Sequence, residues 1–162
     1  MTIIFEENIR TNSIKDIAAK MMLAARTAPK ARGIDNLVIA IAEKEDIAKI
    51  AATMRVIAAY QVSPWDNYFL RDATNILATE IMLLIGTKIK PMGITDCGLC
   101  GFASCQEKLT NPNHPCAFNT NDLGIACGAA LNIAMDHRVD NRIMYTVGKA
   151  VRKLGFERSL IN

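Results

Sequence analysis

The stretch Asp96-Cys97-Gly98-Leu99-Cys100-Gly101-Phe102-Ala103-Ser104-Cys105, followed by Pro115-Cys116, spaces four cysteines as C-x2-C-x4-C-x10-C. A fifth, Cys127, stands apart in an apolar segment. Thiolates are soft ligands, and four of them delivered by one short loop are what an iron–sulfur centre needs. Cys97 and Cys100 bend the chain around one side of such a centre. Cys105 comes from the first turns of a short helix predicted over Phe102–Leu109, and Pro115 stiffens the approach of Cys116. Gly98 and Gly101 each follow a candidate ligand, where positive φ lets backbone N–H groups point at sulfur. Leu99, Phe102, Ala103 and Phe118 are expected to form an apolar wall. Cys97, Cys100, Cys105 and Cys116 are thus candidate metal ligands, in a cluster-binding loop over residues 94–120. The same set suits zinc, with His114 able to replace Cys116; the alternative is then a non-redox structural or binding module with a four-cysteine zinc site.

Outward from the loop, periodicity supplies its carriers. Ile14, Ile17, Ala18, Met21 and Ala25 share one face of a helix predicted over 13–26, capped by Asn12 or Ser13. Leu37–Ala42 is a short β-branched run expected as a buried strand. A second helix, 43–59, carries Ile47, Ile50, Ala51, Met54, Ile57 and Ala58 at helical spacing, with acids near its start. Ser63-Pro64 breaks the chain before a third helix over Asp66–Ala78. Ile81–Lys90 is expected as a strand stopped by Pro91. Beyond the cysteine loop, Asn121 or Asp122 is expected to cap a helix reaching Asp136, apolar almost all round and so buried between layers. Residues 141–155 fit either a strand over Arg142–Val147 followed by a helix, or one helix throughout. Helices outnumber strands, and the expected architecture is a single α+β domain over residues 1–162 with a small central sheet.

Composition narrows the function. The chain has 162 residues, 51% of them hydrophobic, enough for a sizeable core. A formal charge of +3 with scattered basic residues and 6% aromatics gives no footprint for nucleic acid. Apolar runs such as Ile81–Gly86 are far shorter than the roughly 20 residues that span a bilayer. The start lacks a basic leader with a long apolar stretch. A soluble, cytoplasmic protein is expected. Its reducing surroundings keep thiols free and favour metal over disulfide.

Other features have plainer readings. Cys127 in its apolar helix reads as a small buried hydrophobe, and His137 as a surface residue. Gly148-Lys149 lacks the glycine and hydroxyl partners of a P-loop. Asp140-Asn-Arg142 could donate to a cofactor or pair locally. Arg26, Lys30 and Arg32 lie in a loop ending at Gly33. They could bind a phosphate, though a solvated loop whose charges also satisfy a helix C-terminus is the plainer and preferred reading.

Cys-Gly-Leu-Cys-Gly-Phe-Ala-Ser-Cys, then Asp122-Leu-Gly-Ile-Ala, Val139-Asp-Asn-Arg-Ile-Met-Tyr and Gly148-Lys-Ala resemble a prokaryotic family of ferredoxin-domain-containing proteins. Ala24-Ala-Arg-Thr-Ala-Pro-Lys-Ala-Arg-Gly33 fits the same family, and the cysteine loop also resembles the 4Fe–4S domain of corrinoid iron–sulfur proteins. The resemblance implies one 4Fe–4S cluster on Cys97, Cys100, Cys105 and Cys116, leaves Cys127 out, and assigns no reaction. A fainter likeness is to the FMN-binding nitroreductase fold, carried by Ala24–Pro29 and Asp122–Ala126. It implies Thr27, Pro29, Lys30 and Arg32 as flavin contacts, and a homodimer with flavin between subunits. In place of the arginine-rich segment that holds the flavin phosphate in nitroreductases stands Glu6-Glu7-Asn8-Ile9-Arg10. Together these likenesses imply an electron-transfer protein, or an oxidoreductase if FMN is bound, acting with a redox partner protein or a small electron acceptor.

Overall fold

The computed structural model describes residues 2–60 and 68–155. The chain break expected at Ser63-Pro64 and the helix start expected at Asp66 lie outside the described residues. Six α-helices and two strands are seen among them: α1 (Glu7–Thr27), β1 (Leu37–Ala42), α2 (Lys44–Ala59), α3 (Tyr68–Asn75), β2 (Met82–Thr87), α4 (Cys105–Leu109), α5 (Ala117–Asp136) and α6 (Tyr145–Leu154). The strands pair as one two-stranded sheet. This is the helix-rich α+β composition expected from periodicity.

The backbone gathers into two compact units. One comprises Met1–Asp16, Ile41–Leu84 and Asp140–Asn162; the other comprises Ile17–Ala40 and Ile85–Val139. The chain passes between them within α1, β1 and β2, and once more between α5 and α6.

The first unit holds the larger apolar cluster. In α2, Ile47, Ile50, Ala51 and Met54 recur at i, i+3, i+4 and i+7, and all are buried. Glu45 and Asp46 lie in the first turn, where the helix dipole favours negative charge. Against this stripe pack Phe69 and Ala73 of α3, Ile76 of the 3₁₀ turn after it, Met82 of β2, and Val147 and Ala150 of α6. Buried Asp72 is satisfied within the same unit: Thr146 Oγ1 donates to its carboxylate at 2.8 Å, and Arg71 Nε at 2.9 Å. Residues 141–144 are neither strand nor helix, and α6 begins only at Tyr145. That differs from both forms expected for this segment.

The first helix also starts earlier than the sequence suggests. Ser13 does not cap it; its hydroxyl donates back to Ile9 O at 3.1 Å inside the helix, and Glu6 and Arg10 pair across the first turn.

In the second unit, α5 buries a narrow stripe, Asn119, Asp122, Ala126, Ala130 and Ala134. Ile125 and Met135, 48% and 66% exposed, face outward. An apolar helix buried all round was expected, but only the side carrying small residues is covered. The strand expected to reach Lys90 ends at Thr87. Its next carbonyls, those of Lys88 and Lys90, accept from the Asn119 side chain instead.

Candidate metal centre

The cysteine loop lies wholly in the second unit and is fastened at both ends. On its approach, Arg32 Nη1 donates to Met92 O at 2.7 Å and to Gly93 O at 3.1 Å. Arg32 itself adopts φ 56°, a left-handed conformation that costs an L-residue energy and aims the guanidinium at that turn. On the far side, Asn119 lies three residues after Cys116 and is 1% exposed. Its Nδ2 donates to Lys88 O at 2.9 Å and Lys90 O at 2.6 Å, and its Oδ1 accepts from Asn36 Nδ2 at 3.2 Å. Asn36 Nδ2 also lies 3.4 Å from the buried Met92 sulfur. Asp122, one turn on, accepts from Ala31 N at 3.1 and 3.2 Å. The sequence marked Asp122 as a cap, but α5 begins at Ala117 and its cap position is Cys116. Asn36 and Asn119 carry no sequence signal beyond being amides near a strand and a helix.

Within the loop the backbone turns left-handed at Asp96 (φ 53°), Gly98 (φ 56°) and Gly101 (φ 86°). Gly101 N donates to Gly98 O at 2.9 Å, closing a tight turn around Cys100. An added Cβ at Gly98 would meet only ordinary contact, so the constraint is conformational. Helix α4 starts at Cys105 rather than Phe102 because Ser104 and Glu107 form a capping box. Ser104 Oγ accepts from Glu107 N at 3.1 Å, and the Glu107 carboxylate accepts from Ala103 N at 2.7 Å.

Cys97, Cys100 and Cys105 are half-buried, Cys116 is buried, and all are free thiols. The Cys105 thiol faces Ile94 O at 4.0 Å. His114, the residue that could have replaced Cys116 on zinc, is occupied otherwise. Its Nε2 donates to Cys100 O at 3.1 Å, and its ring meets Phe102 edge-on with centroids 5.0 Å apart. Cys116 stands at the N-terminus of a 20-residue helix, where the dipole favours negative charge.

Among the described residues, no three His, Cys, Asp or Glu side chains come together to hold a metal ion. The thiols share one fastened loop without forming a finished cage. Metal binding by thiols is commonly coupled to their deprotonation and ordering. The donor set suits a soft metal centre, and a second feature fits one: Lys108, on the same helix as Cys105, is 1% exposed. Its side chain has no hydrogen bond or ion pair among the described residues.

The candidate flavin residues are placed differently. Thr27 Oγ1 donates to Leu23 O at 3.0 Å inside α1, and Pro29 is exposed. The Lys30 ammonium donates to the carbonyls of Arg26 and Ala28 and lies 4.0 Å from Asp35. It caps the C-terminus of α1, the plainer of the two sequence readings. Arg26 pairs with Asp35 at 2.8 Å. Burial pushes the Asp35 carboxyl up. The Arg26 hydrogen bond, the Leu37 amide and the charges of Arg26 and Lys30 outweigh it and hold that carboxyl below the ordinary carboxylate range. Cys127 sits half-buried on α5, and burial pushes its thiol up.

Fold and site define a class: a helix-rich α+β chain that carries a fastened, cysteine-rich candidate metal loop. A protein of Archaeoglobus fulgidus described as "uncharacterized protein" is 37% identical to it over 159 residues, spanning 93% of this chain and 83% of its own. The model of a family described as "uncharacterized protein containing a ferredoxin domain (DUF2148)" matches residues 112–160. The chain belongs to this family. The matched residues include Cys116 and stop short of Cys97, Cys100 and Cys105. No solved structure matches the chain. A ferredoxin domain points to iron–sulfur binding and electron transfer. Neither the nitroreductase likeness nor a flavin gains support from these comparisons. Among the described residues, no helix is long and apolar enough to cross a membrane.

Proposed function

We propose that this protein binds one 4Fe–4S cluster through Cys97, Cys100, Cys105 and Cys116 and carries single electrons between a reduced donor and an oxidised acceptor. The observation that supports it is the loop itself. Four free thiols lie on one segment whose two ends are joined by Asn119, with left-handed glycines directly after the first two. Fastened ends confine the four thiols to one loop, and drawing them to a common point is left to metal binding itself. The bound group would supply one-electron chemistry. The chain supplies the ligands, the backbone N–H groups of the Gly98 and Gly101 turns, and apolar cover from half-buried Phe102 and Phe118, whereas Leu99 and Ala103, expected in that wall, are exposed.

Lys30 and Arg32 are committed to backbone carbonyls, so the reading includes no flavin phosphate site on the Ala24–Gly33 loop. Anaerobic reconstitution with ferrous iron and sulfide tests the proposal. The expected result is about four irons and four sulfides per chain and a paramagnetic signal after one-electron reduction with dithionite. Stoichiometric zinc with no uptake of iron and sulfide would instead make the domain a non-redox zinc module.

A further inference from the structure

Lys108 is the most completely buried charged residue among those described, at 1% exposure. It follows Cys105 by three positions on α4, so the two side chains share a helix face. Its backbone N–H bonds Ser104 O at 3.0 Å, while its ammonium has no partner among the described residues. The neighbouring acid, Glu107, directs its carboxylate to Ala103 N. The contrast with Lys30 is informative: that lysine, with 8% of its side chain exposed, has two carbonyls and an aspartate around it. A buried cation without a counter-charge is strongly disfavoured, and buried polar groups ordinarily find partners.

We propose that the thiolate centre is the missing counter-charge, and that Lys108 is a positioning and tuning residue for it. The inference rests on the iron–sulfur reading above. Four thiolates bring concentrated negative charge into one loop, and one-electron reduction adds another unit. A buried ammonium in the same loop offsets the repulsion among the thiolates. It also favours the reduced state, because charges interact strongly where water is excluded.

The test compares wild type with Lys108→Met, which keeps volume without charge, and Lys108→Arg, which keeps charge. In the metal-free proteins Lys108→Met should melt at a higher temperature than wild type, since it removes an uncompensated buried charge. An equal or lower melting temperature overturns the inference. After reconstitution, midpoint potentials are read by dithionite titration under paramagnetic resonance. Lys108→Met should be about tenfold harder to reduce, a shift of about 59 mV to more negative potential for one electron. Lys108→Arg should stay near wild type. An unmoved potential in a loaded Lys108→Met protein overturns the inference alone. If Lys108→Met loads no iron while Lys108→Arg does, the charge is what the centre requires. If neither loads while wild type does, shape rather than charge is required and the inference fails. A wild type that takes up no iron removes the iron–sulfur reading, and this inference with it.

Discussion

Asn119 Nδ2 donates to Lys90 O at 2.6 Å, so a residue in the first turn of α5 holds the backbone that leads into the cysteine loop. The same amide reaches Lys88 O at 2.9 Å and accepts from Asn36 at 3.2 Å. Replacing Asn119 with Ala takes the side-chain donor from the part-buried Lys90 carbonyl and the oxygen acceptor from the buried Asn36 amide, while Lys88 O keeps the Lys90 N–H. The expected loss is about 2–4 kcal/mol, read from urea unfolding of the metal-free protein. Iron retention during gel filtration should fall with it. Wild-type stability in that variant would mean that other bonds fasten the loop.

Arg32 combines a left-handed backbone with a clamp on Met92 and Gly93. Both Arg32→Ala and Arg32→Gly remove the clamp, but only glycine relieves the backbone strain. The glycine variant should therefore be more stable than the alanine variant by about 1 kcal/mol, measured from denaturant midpoints.

The cysteines should separate by role. Cys100→Ala is expected to lose most of its bound iron and its reducible signal. Its far-ultraviolet circular dichroism should stay near wild type, because the apolar cluster around Ile47, Ile50 and Met54 does not involve Cys100. Cys127→Ala should keep the full iron content. Equal iron in wild type and Cys100→Ala would remove Cys100 from the ligand set.

Burial raises the Cys127 thiol, so its thiolate is scarcer than that of an exposed cysteine at the same pH. Site-specific mass spectrometry should show slow alkylation at pH 8. The rate should climb about tenfold per pH unit and go on climbing past the ordinary thiol range near 8.5. A plateau at or below that range would contradict the raised value.

The Asp35 carboxyl is held low in the folded chain, so its contribution to stability is fully present above the ordinary carboxylate range. It fades as pH falls through the lowered value. Asp35→Asn should therefore be less stable than wild type at pH 7, and the two should converge only as pH falls below the ordinary carboxylate range. Urea midpoints across that span provide the check; a constant gap would exclude ionisation of Asp35 as the cause.

Much of the framework was legible because helical spacing of apolar residues is a local signal. Ile47, Ile50 and Met54 marked α2 and its buried face to within one residue at its start, and Leu37–Ala42 gave β1 at its observed bounds. Boundaries set by side-chain bonds were less visible. The capping box of Ser104 and Glu107 was there to be read and moves the start of α4 to Cys105. The early end of β2 depends on Asn119, far along the chain, and no local pattern carries that. On α5 the composition suggested burial on every side, whereas neighbouring elements cover only the stripe of small residues. The cysteine spacing announced a candidate centre. The residues that fasten it, Asn36, Asn119 and Arg32, and the buried Lys108 were hidden because their roles arise from partners brought together by folding.

The tie between Asn119 and the Lys88–Lys90 backbone makes the cysteine segment a ring whose closure does not depend on its own length. Extra residues placed in the exposed turn between Asn111 and His114 enlarge that ring, and each doubling of a flexible loop adds only about 0.6 kcal/mol. The interval between Cys105 and Cys116 is thus elastic, while the interval between Cys97 and Cys100, set by the Gly98–Gly101 turn, is not.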